Sequence, residues 1–402
     1  MKKTNGFVAA ILLAFAQPGF SQGHAPDAAP AAKAALVVLA EVSVKNDAAF
    51  ARREMVEVSL KDLPGVPKPV DLVRVRVTNS ATGVELMAQP VDTNGDWDDD
   101  QLVFQADLAP KSTSKFKLTL GEKRELKASD FKVYGRFNRE RFDDFVWEND
   151  KIAFRMYGEA LETWEREPLT SSTVDAWVKK TPRLTVNDWY LVDEYHKDHG
   201  EGGDFYSAGK TRGCGGSALL ANGQLFVSKN FRKSRVLSRG PIRLIFELTY
   251  DAYDVAGTKV REIKRVTLDA GSHFNRFENR YTTESGEPVT PSALLAVGIK
   301  KAKNADVRVD PKGGIVRTWE ELLSYGKDGF MGCAIVADPS KVDSTPELDG
   351  NVMVALRAPA TYFAGTGWDR SGDFKTMADF DARVDAFARR LASPITVDVQ
   401  RR

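Results

Sequence analysis

Motifs of several common enzyme classes are missing from this 402-residue chain. It has no G-x-S-x-G sequence, which disfavours an α/β-hydrolase built on an activated serine. It also has no Walker loop, and Gly213, Gly215 and Gly216 lack the strand-then-helix setting of a dinucleotide fingerprint. The sequence therefore gives no support to serine hydrolysis or to nucleotide-dependent chemistry.

An excess of charge of either sign is missing too. Lysine and arginine total 57, against 56 aspartates and glutamates. Removal of a leader that carries Lys2 and Lys3 would leave a net charge of 55 − 56 = −1. A nearly neutral chain is a poor partner for nucleic acid or for an anionic membrane, so we predict neither.

The apolar run at residues 7–16 is too short to span a bilayer. It follows two lysines and precedes small residues near Ser21, which is the arrangement of a secretory signal. We expect residues 1–22 to be a signal peptide and residues 23–35 to be a flexible leader. The mature protein would then be periplasmic or secreted, with no membrane anchor.

Cysteine is nearly absent, since Cys214 and Cys333 are the two in the chain. In an oxidising compartment they could form one disulfide. However, 118 residues lie between them, and the sequence does not decide whether they pair. A free, buried pair is the alternative.

Short β-strand patterns dominate the rest of the chain. Residues 36–125 show short apolar runs separated by turn signals, which predicts a small N-terminal β-sandwich. In residues 126–402 the strands are longer, and the alternation in 241–250 would place one apolar row on a single face of a sheet. Helical spacing predicts one C-terminal helix at 376–391, and we also predict a short helix at 319–325.

The acidic segment 92–100 resembles the start of a calcium loop. The resemblance fails because Trp97 stands where an EF-hand needs glycine and Val103 where it needs glutamate. We therefore interpret the segment as an acidic hairpin turn.

The stretch best suited to a functional site is residues 195–216, which contain seven glycines and two of the four histidines. So many glycines are incompatible with a helix interior or a regular strand, so the segment is predicted to be a loop. Loops held by a rigid scaffold are where catalytic residues often lie.

The two histidines of this loop, His196 and His199, admit three interpretations. They could bind a divalent metal together with Asp204. One of them could be a general base, with Tyr195 or Tyr206 as the acid. They could also be structural and hold the backbone of the loop.

Cations around the loop favour the second interpretation. A uronic-acid substrate needs a cation at its carboxylate, because neutralisation makes the neighbouring proton removable. A base then takes that proton and an acid protonates the leaving oxygen, which is β-elimination or dehydration. Arg212 and Arg155 are the candidates for holding the carboxylate, with Lys179 and Asp204 as further substrate contacts. Each of these charges is also compatible with an ordinary surface residue.

Aromatic side chains supply candidate sugar-binding faces at Trp177, Trp189 and Trp368. The C–H face of a sugar is apolar and stacks on such rings, although core packing explains most tryptophans. A glycosidase would instead need two carboxylates about 5–10 Å apart. The candidate carboxylates for that reaction are Glu194, Asp198, Glu201 and Asp204.

A set of segments in fixed order resembles a known family. The segments are residues 175–180, 188–190, 195–209, 240–243, 268–272 and 365–368. Together they resemble a bacterial family known as domain of unknown function 4861, over most of the mature chain. The resemblance implies a secreted protein similar to those that accompany polysaccharide-degrading enzymes. It also implies a β-supersandwich, as in galactose-mutarotase-like and some polysaccharide-lyase domains.

The resulting hypothesis is a mainly β, carbohydrate-active lyase or dehydratase. It would act on oligosaccharides or polysaccharides that contain uronic acid, and it would need no cofactor. Two alternatives stay open. A non-catalytic glycan-binding module would have aromatic residues along an open groove. A metal-dependent glycan hydrolase would bind a divalent metal through His196, His199 and Asp204.

Overall fold

The computed structural model describes residues 37–63, 74–165, 168–289 and 291–401. These residues are mostly β-strand, and they contain two α-helices. The mainly β fold predicted from the sequence is therefore confirmed. The predicted signal peptide and leader lie outside the described residues. No helix in the described part of the chain is long and apolar enough to cross a membrane.

The N-terminal strands form a β-sandwich, as predicted. They are β1 (Val37–Asn46), β2 (Arg52–Ser59), β3 (Val75–Asn79), β4 (Glu85–Leu86), β5 (Ala88–Val91), β6 (Gln101–Leu108) and β7 (Ser112–Leu120). One sheet has the order β1-β7-β3-β4 and the other β2-β6-β5. Their apolar faces share one core, in which the rings of Phe104 and Phe116 lie 5.0 Å apart. The last strand of the chain, Thr396–Arg401, pairs with β1 and extends the first sheet. The boundary at residue 125 stays a prediction.

The acidic segment 92–100 forms the turn between the paired strands β5 and β6. The Asp92 carboxylate accepts hydrogen bonds from the backbone N–H groups of Gly95 and Trp97. The predicted hairpin turn is therefore confirmed.

The next sheet carries the candidate site. Its elements are β8 (Val133–Asn138), β9 (Asp144–Asn149), β10 (Ala153–Tyr157), β11 (Asp175–Lys179), helix α1 (Val186–Val192) and β12 (Gly202–Gly203). The strands are antiparallel in the order β12-β11-β10-β9-β8. One face is apolar and joins the main core through Phe145, Trp147 and Phe154. The other face carries charged side chains, and helix α1 covers it.

Two further sheets form a large sandwich. Its strands are β13 (Cys214–Ala221), β14 (Gln224–Phe226), β15 (Lys233–Arg239), β16 (Arg243–Thr249), β17 (Tyr253–Val255), β18 (Thr258–Asp269), β19 (Phe274–Thr282), β20 (Pro288–Val289), β21 (Leu294–Lys300), β22 (Asp306–Asp310), β23 (Ile315–Glu321), β24 (Phe330–Ala337), β25 (Val342–Ser344), β26 (Glu347–Leu348), β27 (Asn351–Leu356) and β28 (Thr361–Trp368). Helix α2 (Met377–Ala392) follows, and the chain then returns to the N-terminal sheet as β29 (Thr396–Arg401). One sheet has the order β14-β13-β21-β27-β25, with β26 paired to β27. The other has the order β15-β16-β18-β19-β28-β24-β23-β22, with β17 and β20 paired to β18 and β19.

Two local predictions in this part of the chain are confirmed. The alternate residues from Ile242 to Leu248 are buried, so one face of β16 is apolar. Helix α2 begins after the Thr376 cap and buries Phe380 and Val384 against the large sheet. The N-cap hydroxyl and the apolar spacing both mark this helix in the sequence.

The predicted short helix at 319–325 is wrong. Trp319 lies in strand β23, opposite Gly332 of β24, and its ring packs 5.9 Å from that of Phe380. Strands β22 and β24 flank β23 and supply its hydrogen-bond partners. Such pairing decides between helix and strand for a short apolar run, and it is invisible in the local pattern.

Candidate active site

The charged face of the β8–β12 sheet brings several polar residues together. Arg155 on β10 lies opposite Asp175 on β11, and Tyr157 lies opposite Asp144 on β9. Residues two apart on a strand share a face, so these four side chains project from the same side of the sheet. Asp204, which follows β12, reaches the same place and accepts a hydrogen bond from Arg155.

We call Arg155, Asp144, Asp175 and Asp204 the aspartate cluster. The Arg155 Nε donates to Asp175 Oδ2 at 2.8 Å, and its Nη2 donates to Asp204 Oδ2 at 2.7 Å. Its Nη1 lies 3.7 Å from Asp144 Oδ2. All four side chains are buried. Arg155 therefore contacts three carboxyl groups in a water-poor environment, and the positive charge of the buried Arg141 also acts on Asp144 and Asp204.

Burial raises the pKa of two of these carboxyl groups. It raises the pKa of Asp144 to about 6. Burial, and then the neighbouring Asp175 carboxylate, raise the pKa of Asp204 well above its usual range. One oxygen of each of the three carboxyl groups has no hydrogen-bond partner in the described part of the chain. Asp144 and Asp204 therefore bind protons at higher pH than exposed aspartates do.

Aromatic rings from α1 and the loop after it cover the cluster. The Trp177 ring lies 5.0 Å from that of Tyr195, 5.4 Å from that of Tyr190 and 5.5 Å from that of Trp189. The Arg155 guanidinium lies 5.1 Å from the Trp177 ring and 5.5 Å from the Tyr195 ring. Protein side chains therefore occupy the faces of these rings. Neither Trp177 nor Trp189 presents an open face to a sugar here.

His196 connects this buried region to the surface. Its Nδ1 lies 2.8 Å from the backbone oxygen of Asp204. A carbonyl oxygen only accepts, so in the neutral ring Nδ1 carries the proton and Nε2 carries the lone pair. The ring stacks on that of Tyr325, with 3.8 Å between centroids, and the side chain is 36% exposed. Partial burial lowers the pKa of His196, which favours the neutral ring near pH 7.

His199 has different neighbours. Its Nε2 lies 3.4 Å from Glu194 Oε2, and its side chain is 41% exposed. It therefore faces a surface carboxylate, whereas His196 contacts the backbone of the aspartate cluster.

Arg212 belongs to a second buried group, which we call the lysine–arginine cluster: Arg212, Ser217, Glu262 and Lys264. The Lys264 Nζ donates to Glu262 at 2.8 Å and also to the Ser217 hydroxyl. The Arg212 Nη1 donates to the Ser217 backbone oxygen at 3.4 Å. Burial lowers the pKa of Lys264, and the nearby Arg212 charge lowers it further. In this cluster two cations share one carboxylate.

Tyr206, a candidate acid, is also buried. The Lys300 ammonium lies 4.2 Å from the centre of its ring, and its hydroxyl has no hydrogen-bond partner among the described residues. Burial raises the pKa of Tyr206, which makes its hydroxyl a weaker proton donor. Its role as the acid stays a prediction.

Lys179 anchors helix α1. Its ammonium donates to the Glu148 carboxylate and to the backbone oxygens of Asn149 and Arg183, the latter two at 2.8 Å. A lysine has three N–H donors, so all of them are used within the protein. Glu148 in turn accepts from the backbone N–H of Val186, the first residue of α1.

Trp368 lies at a small cavity that Trp177, Lys179 and His273 also line. Its indole N–H donates to the backbone oxygen of Asp328 at 2.7 Å, and the side chain is buried. All three tryptophans proposed for sugar stacking are therefore buried, and that role stays a prediction.

Two glycines allow the Gly-rich segment to lie close to β11. Gly202 has φ 108°, and a Cβ there would lie 2.1 Å from the Val178 carbonyl oxygen. Gly213 has φ 63°, and a Cβ there would lie 2.1 Å from the Val174 carbonyl oxygen. These positions accept only glycine without a backbone shift, which explains part of the composition of the segment.

The structure joins about half of the predicted site residues in one contact network. That network contains Arg155, Trp177, Trp189, Tyr195, His196 and Asp204. Within the described part of the chain, His199, Tyr206 and Arg212 make no hydrogen bond or ion pair with this network.

Sequence reasoning missed Asp144, Asp175 and Tyr325. The opposite charges of Arg155 and Asp175 on neighbouring strands are a signal only once the strand register is known. Tyr325 lies on the loop between β23 and β24, far along the chain from His196. No local pattern connects these two residues.

The described residues contain no group of three or more His, Cys, Asp or Glu that could hold a metal ion. His199 faces Glu194, while His196 and Asp204 meet through a backbone oxygen. The ligand set considered from the sequence is therefore not assembled in this structure.

Cys214 and Cys333 are both free and buried. Burial, and then the neighbouring Cys214, raise the pKa of the Cys333 thiol. The two cysteines are therefore neighbours in the core and are not joined by a disulfide here.

Comparison with known proteins gives a family. The profile of the family described as "Domain of unknown function (DUF4861)" matches residues 44–397. The chain belongs to this family. An "Uncharacterized protein P7" of Formosa agariphila is 31% identical over 386 residues, which cover 89% of this chain and 93% of that protein. The family resemblance found in the sequence is thus confirmed.

Solved structures from Enterococcus faecalis show a weaker likeness. One is an alpha-mannosidase of strain V583, with 12% identity and a TM-score of 0.46, covering 90% of this chain and 46% of that one. Another is a protein in glycosyl hydrolase family 38, with 12% identity and a TM-score of 0.48, covering 90% of this chain and 47% of that one. This chain spans about half the length of these structures.

Proposed function

We propose that the protein acts on oligosaccharides or polysaccharides containing uronic acid, by β-elimination or dehydration, with His196 as the base. The observation that carries the proposal is the contact of 2.8 Å between His196 Nδ1 and the backbone oxygen of Asp204. This contact fixes the tautomer and leaves Nε2 with the lone pair that a general base needs. His199 has no comparable contact, which is why we assign the role to His196.

In the proposed step His196 takes up one proton and gives it back, so no other acid or base is needed. Nε2 of His196 removes the proton from the carbon next to the substrate carboxylate. The electron pair left there forms a double bond to the adjacent carbon, whose bond to oxygen breaks. The leaving oxygen takes the proton from the imidazolium, which returns to its neutral form. The products are an unsaturated sugar and either a shortened sugar or water.

The aspartate cluster lies beside His196 and favours this chemistry. The Asp204 Oδ2 lies 3.7 Å from His196 Nδ1. The backbone oxygen of Asp204 accepts the hydrogen bond from Nδ1, and this bond strengthens as the ring becomes a positively charged imidazolium. The cluster is held by hydrogen bonds to Arg155 and is covered by aromatic rings, so it needs little rearrangement during the reaction.

Two partly exposed residues near the loop are our candidates for contacting the substrate. Lys180 makes an ion pair with Asp198 at 2.5 Å and would help to neutralise the substrate carboxylate. Tyr325 is 50% exposed and would offer part of its ring to a sugar. In contrast, Arg155 and Arg212, which the sequence offered for the carboxylate, are buried and donate to protein groups.

The test is ultraviolet absorbance of a conjugated alkene during incubation with a panel of uronic-acid oligosaccharides. His196→Ala should lower the rate by about 100-fold or more, because general base catalysis supplies roughly that factor. His199→Ala, from the same loop, is the matched control and should keep a rate near that of the unaltered protein. The rate should rise with pH through an apparent pKa below that of free imidazole, because the base must be neutral.

Two outcomes would contradict the proposal. Equal losses in both variants would mean that the loop, and not His196, matters. Sugar binding with no alkene from any substrate would instead favour a non-catalytic glycan-binding module. Secretion and independence of any cofactor remain parts of the proposal. Sequencing the N-terminus of the exported protein tests the first, and activity after chelation tests the second.

A further inference from the structure

A groove of about 830 Å³ lies between strand β2, the large sheet at β18 and β19, and helix α2. Sites for small molecules commonly have volumes of about 300–1,000 Å³. None of its lining residues belongs to the loop at 195–216 or to the aspartate cluster. The groove is therefore a feature separate from the candidate active site.

The groove has a local excess of positive charge. Eight arginine or lysine side chains and four carboxylates line it, an excess of 8 − 4 = 4. The whole chain has 57 such cations against 56 acids, so the excess in the groove is not a general property of the chain. The fold has concentrated cations from separate parts of the chain at this place.

The carboxylates in the groove do not neutralise these cations evenly. Glu54 is shared, since its Oε1 lies 3.2 Å from Arg52 Nε and 2.7 Å from Arg390 Nε. Arg243 takes two carboxylates, because it contacts both Glu57 at 2.5 Å and Asp269 at 2.6 Å. One carboxylate therefore serves two guanidinium groups, while two others serve a single one.

Three exposed cations of the groove have no carboxylate partner among the described residues. Lys132, Arg383 and Arg389 are exposed, and none makes an ion pair with a described residue. The guanidinium of Arg383 lies 5.9 Å from the centre of the Phe374 ring, which supports its side chain along α2. Guanidinium groups bind carboxylate and sulfate oxygens through paired N–H donors.

We propose that this groove binds a polyanionic glycan chain, with its repeating carboxylate or sulfate groups on the arginines of α2. Cations spread over β2, β19 and α2 suit a ligand with repeated charges better than they suit one small anion. The choice of a glycan over another polyanion rests on the proposed function. The groove would hold the polymer while a separate part of it reacts at the loop.

The test measures binding in the His196→Ala background, so that turnover does not interfere. The probes are polygalacturonate for carboxylate, a sulfated galactan for sulfate, and a neutral galactan. Arg383→Ala with Arg389→Ala should weaken binding of at least one anionic polymer about tenfold or more, which is about 1.4 kcal/mol. The matched control is Lys233→Ala with Arg239→Ala, which removes two exposed cations of β15 outside the groove. The control should bind as the parent does, and circular dichroism checks that both pairs fold.

Several outcomes would overturn the inference. Equal weakening in both variant pairs would indicate a general charge effect, and tight binding of the neutral galactan would exclude charge recognition. Failure of both anionic polymers to bind would remove the groove as a glycan site. Tighter binding of duplex DNA than of either glycan would assign it to nucleic acid. Because these measurements involve no catalysis, their failure is distinguishable from failure of the elimination reaction.

Discussion

The chain buries two ionic clusters with opposite charge balance. In the aspartate cluster three carboxyl groups surround the Arg155 guanidinium, with Arg141 nearby. In the lysine–arginine cluster two cations lie near the single carboxylate of Glu262. The first lies on one sheet face beneath the loop at His196, and the second joins β13 and β18 within the large sandwich. Both are buried, so the difference lies in charge and in position.

This difference shows which cluster suits proton chemistry. Burial, and after it the neighbouring Asp175 carboxylate, raise the pKa of Asp144 to about 6. The aspartate cluster also contacts a partly exposed histidine. In the other cluster the cations outnumber the carboxylate. Its hydrogen bonds connect Lys264, Ser217 and Glu262 with one another. Arg212 therefore stabilises the sandwich and does not accompany the histidines.

The largest effect is expected on removing the Arg155 guanidinium, which lies closest to all three carboxyl groups of the aspartate cluster. Arg155→Met leaves Asp144, Asp175 and Asp204 buried without it, and should lower the free energy of unfolding by about 3–5 kcal/mol at pH 7. Urea denaturation measures the change. Arg53→Met, at an exposed arginine, is the control and should change stability by less than about 0.5 kcal/mol. A loss below about 1 kcal/mol for Arg155→Met would mean that the three carboxyl groups do not depend on the Arg155 charge.

The next test uses pH, because the pKa of Asp144 is higher in the folded protein than its usual 3.8. The folded state therefore binds more protons, so this group stabilises the fold below pH 3.8. That contribution is lost as pH rises through about 6. Asp144→Asn should remove this loss of stability. The loss amounts to about 3 kcal/mol in the free energy of unfolding as pH rises from 3.8 through about 6.

Stability curves of the unaltered protein and of Asp144→Asn should therefore diverge between pH 4 and pH 7, with the variant gaining relative to the unaltered protein as pH rises. Asp107→Asn, at an exposed aspartate, is the control and should run parallel to the unaltered protein. Parallel curves for Asp144→Asn would show that Asp144 titrates normally.

The smallest effect is expected in the lysine–arginine cluster. Lys264→Met removes one of two cations, while Arg212 still attracts the Glu262 carboxylate. Asn279 also continues to donate to Glu262. The free energy of unfolding should fall by about 1 kcal/mol, because lost hydrogen bonds are partly offset by relief of repulsion between cations. Lys259→Met, at an exposed residue of the same strand, is the control. A loss as large as that of Arg155→Met would remove the distinction between the clusters.

Much of the fold was predictable because local patterns encode it. The period of two on β16 and the capped apolar spacing of α2 required no knowledge of neighbouring elements. The helix expected at 319–325 failed, since pairing with β22 and β24 outweighed the local preference of a short segment. The loop predicted at 195–216 is only partly correct, since it contains the short strand β12 at Gly202 and Gly203 and the start of β13 at Cys214. The backbone at Gly202 and Gly213 lies so close to other backbone atoms that it suits glycine alone.

The candidate site was predictable only in part. The density of rare residues led to His196 and Asp204, but it also led to His199, Tyr206 and Arg212, which have other neighbours. A sequence shows which side chains are near one another along the chain, while chemistry depends on which are near in space. The excess of cations in the groove at α2 was equally hidden from the sequence. Its cations come from separate segments, and acidic residues elsewhere offset them in the total charge of the chain.

By itself the sequence determined the mainly β class, the family and the loop that holds the histidines, because these depend on local pattern and residue order. Tertiary structure alone decided that Asp144 and Asp175 meet Arg155, and that Tyr325 stacks on His196. It also decided that Lys179 and Trp368 are buried. The physical reason is that strand register and packing place distant residues side by side. Burial then sets their charges, and no local stretch of the chain encodes either effect.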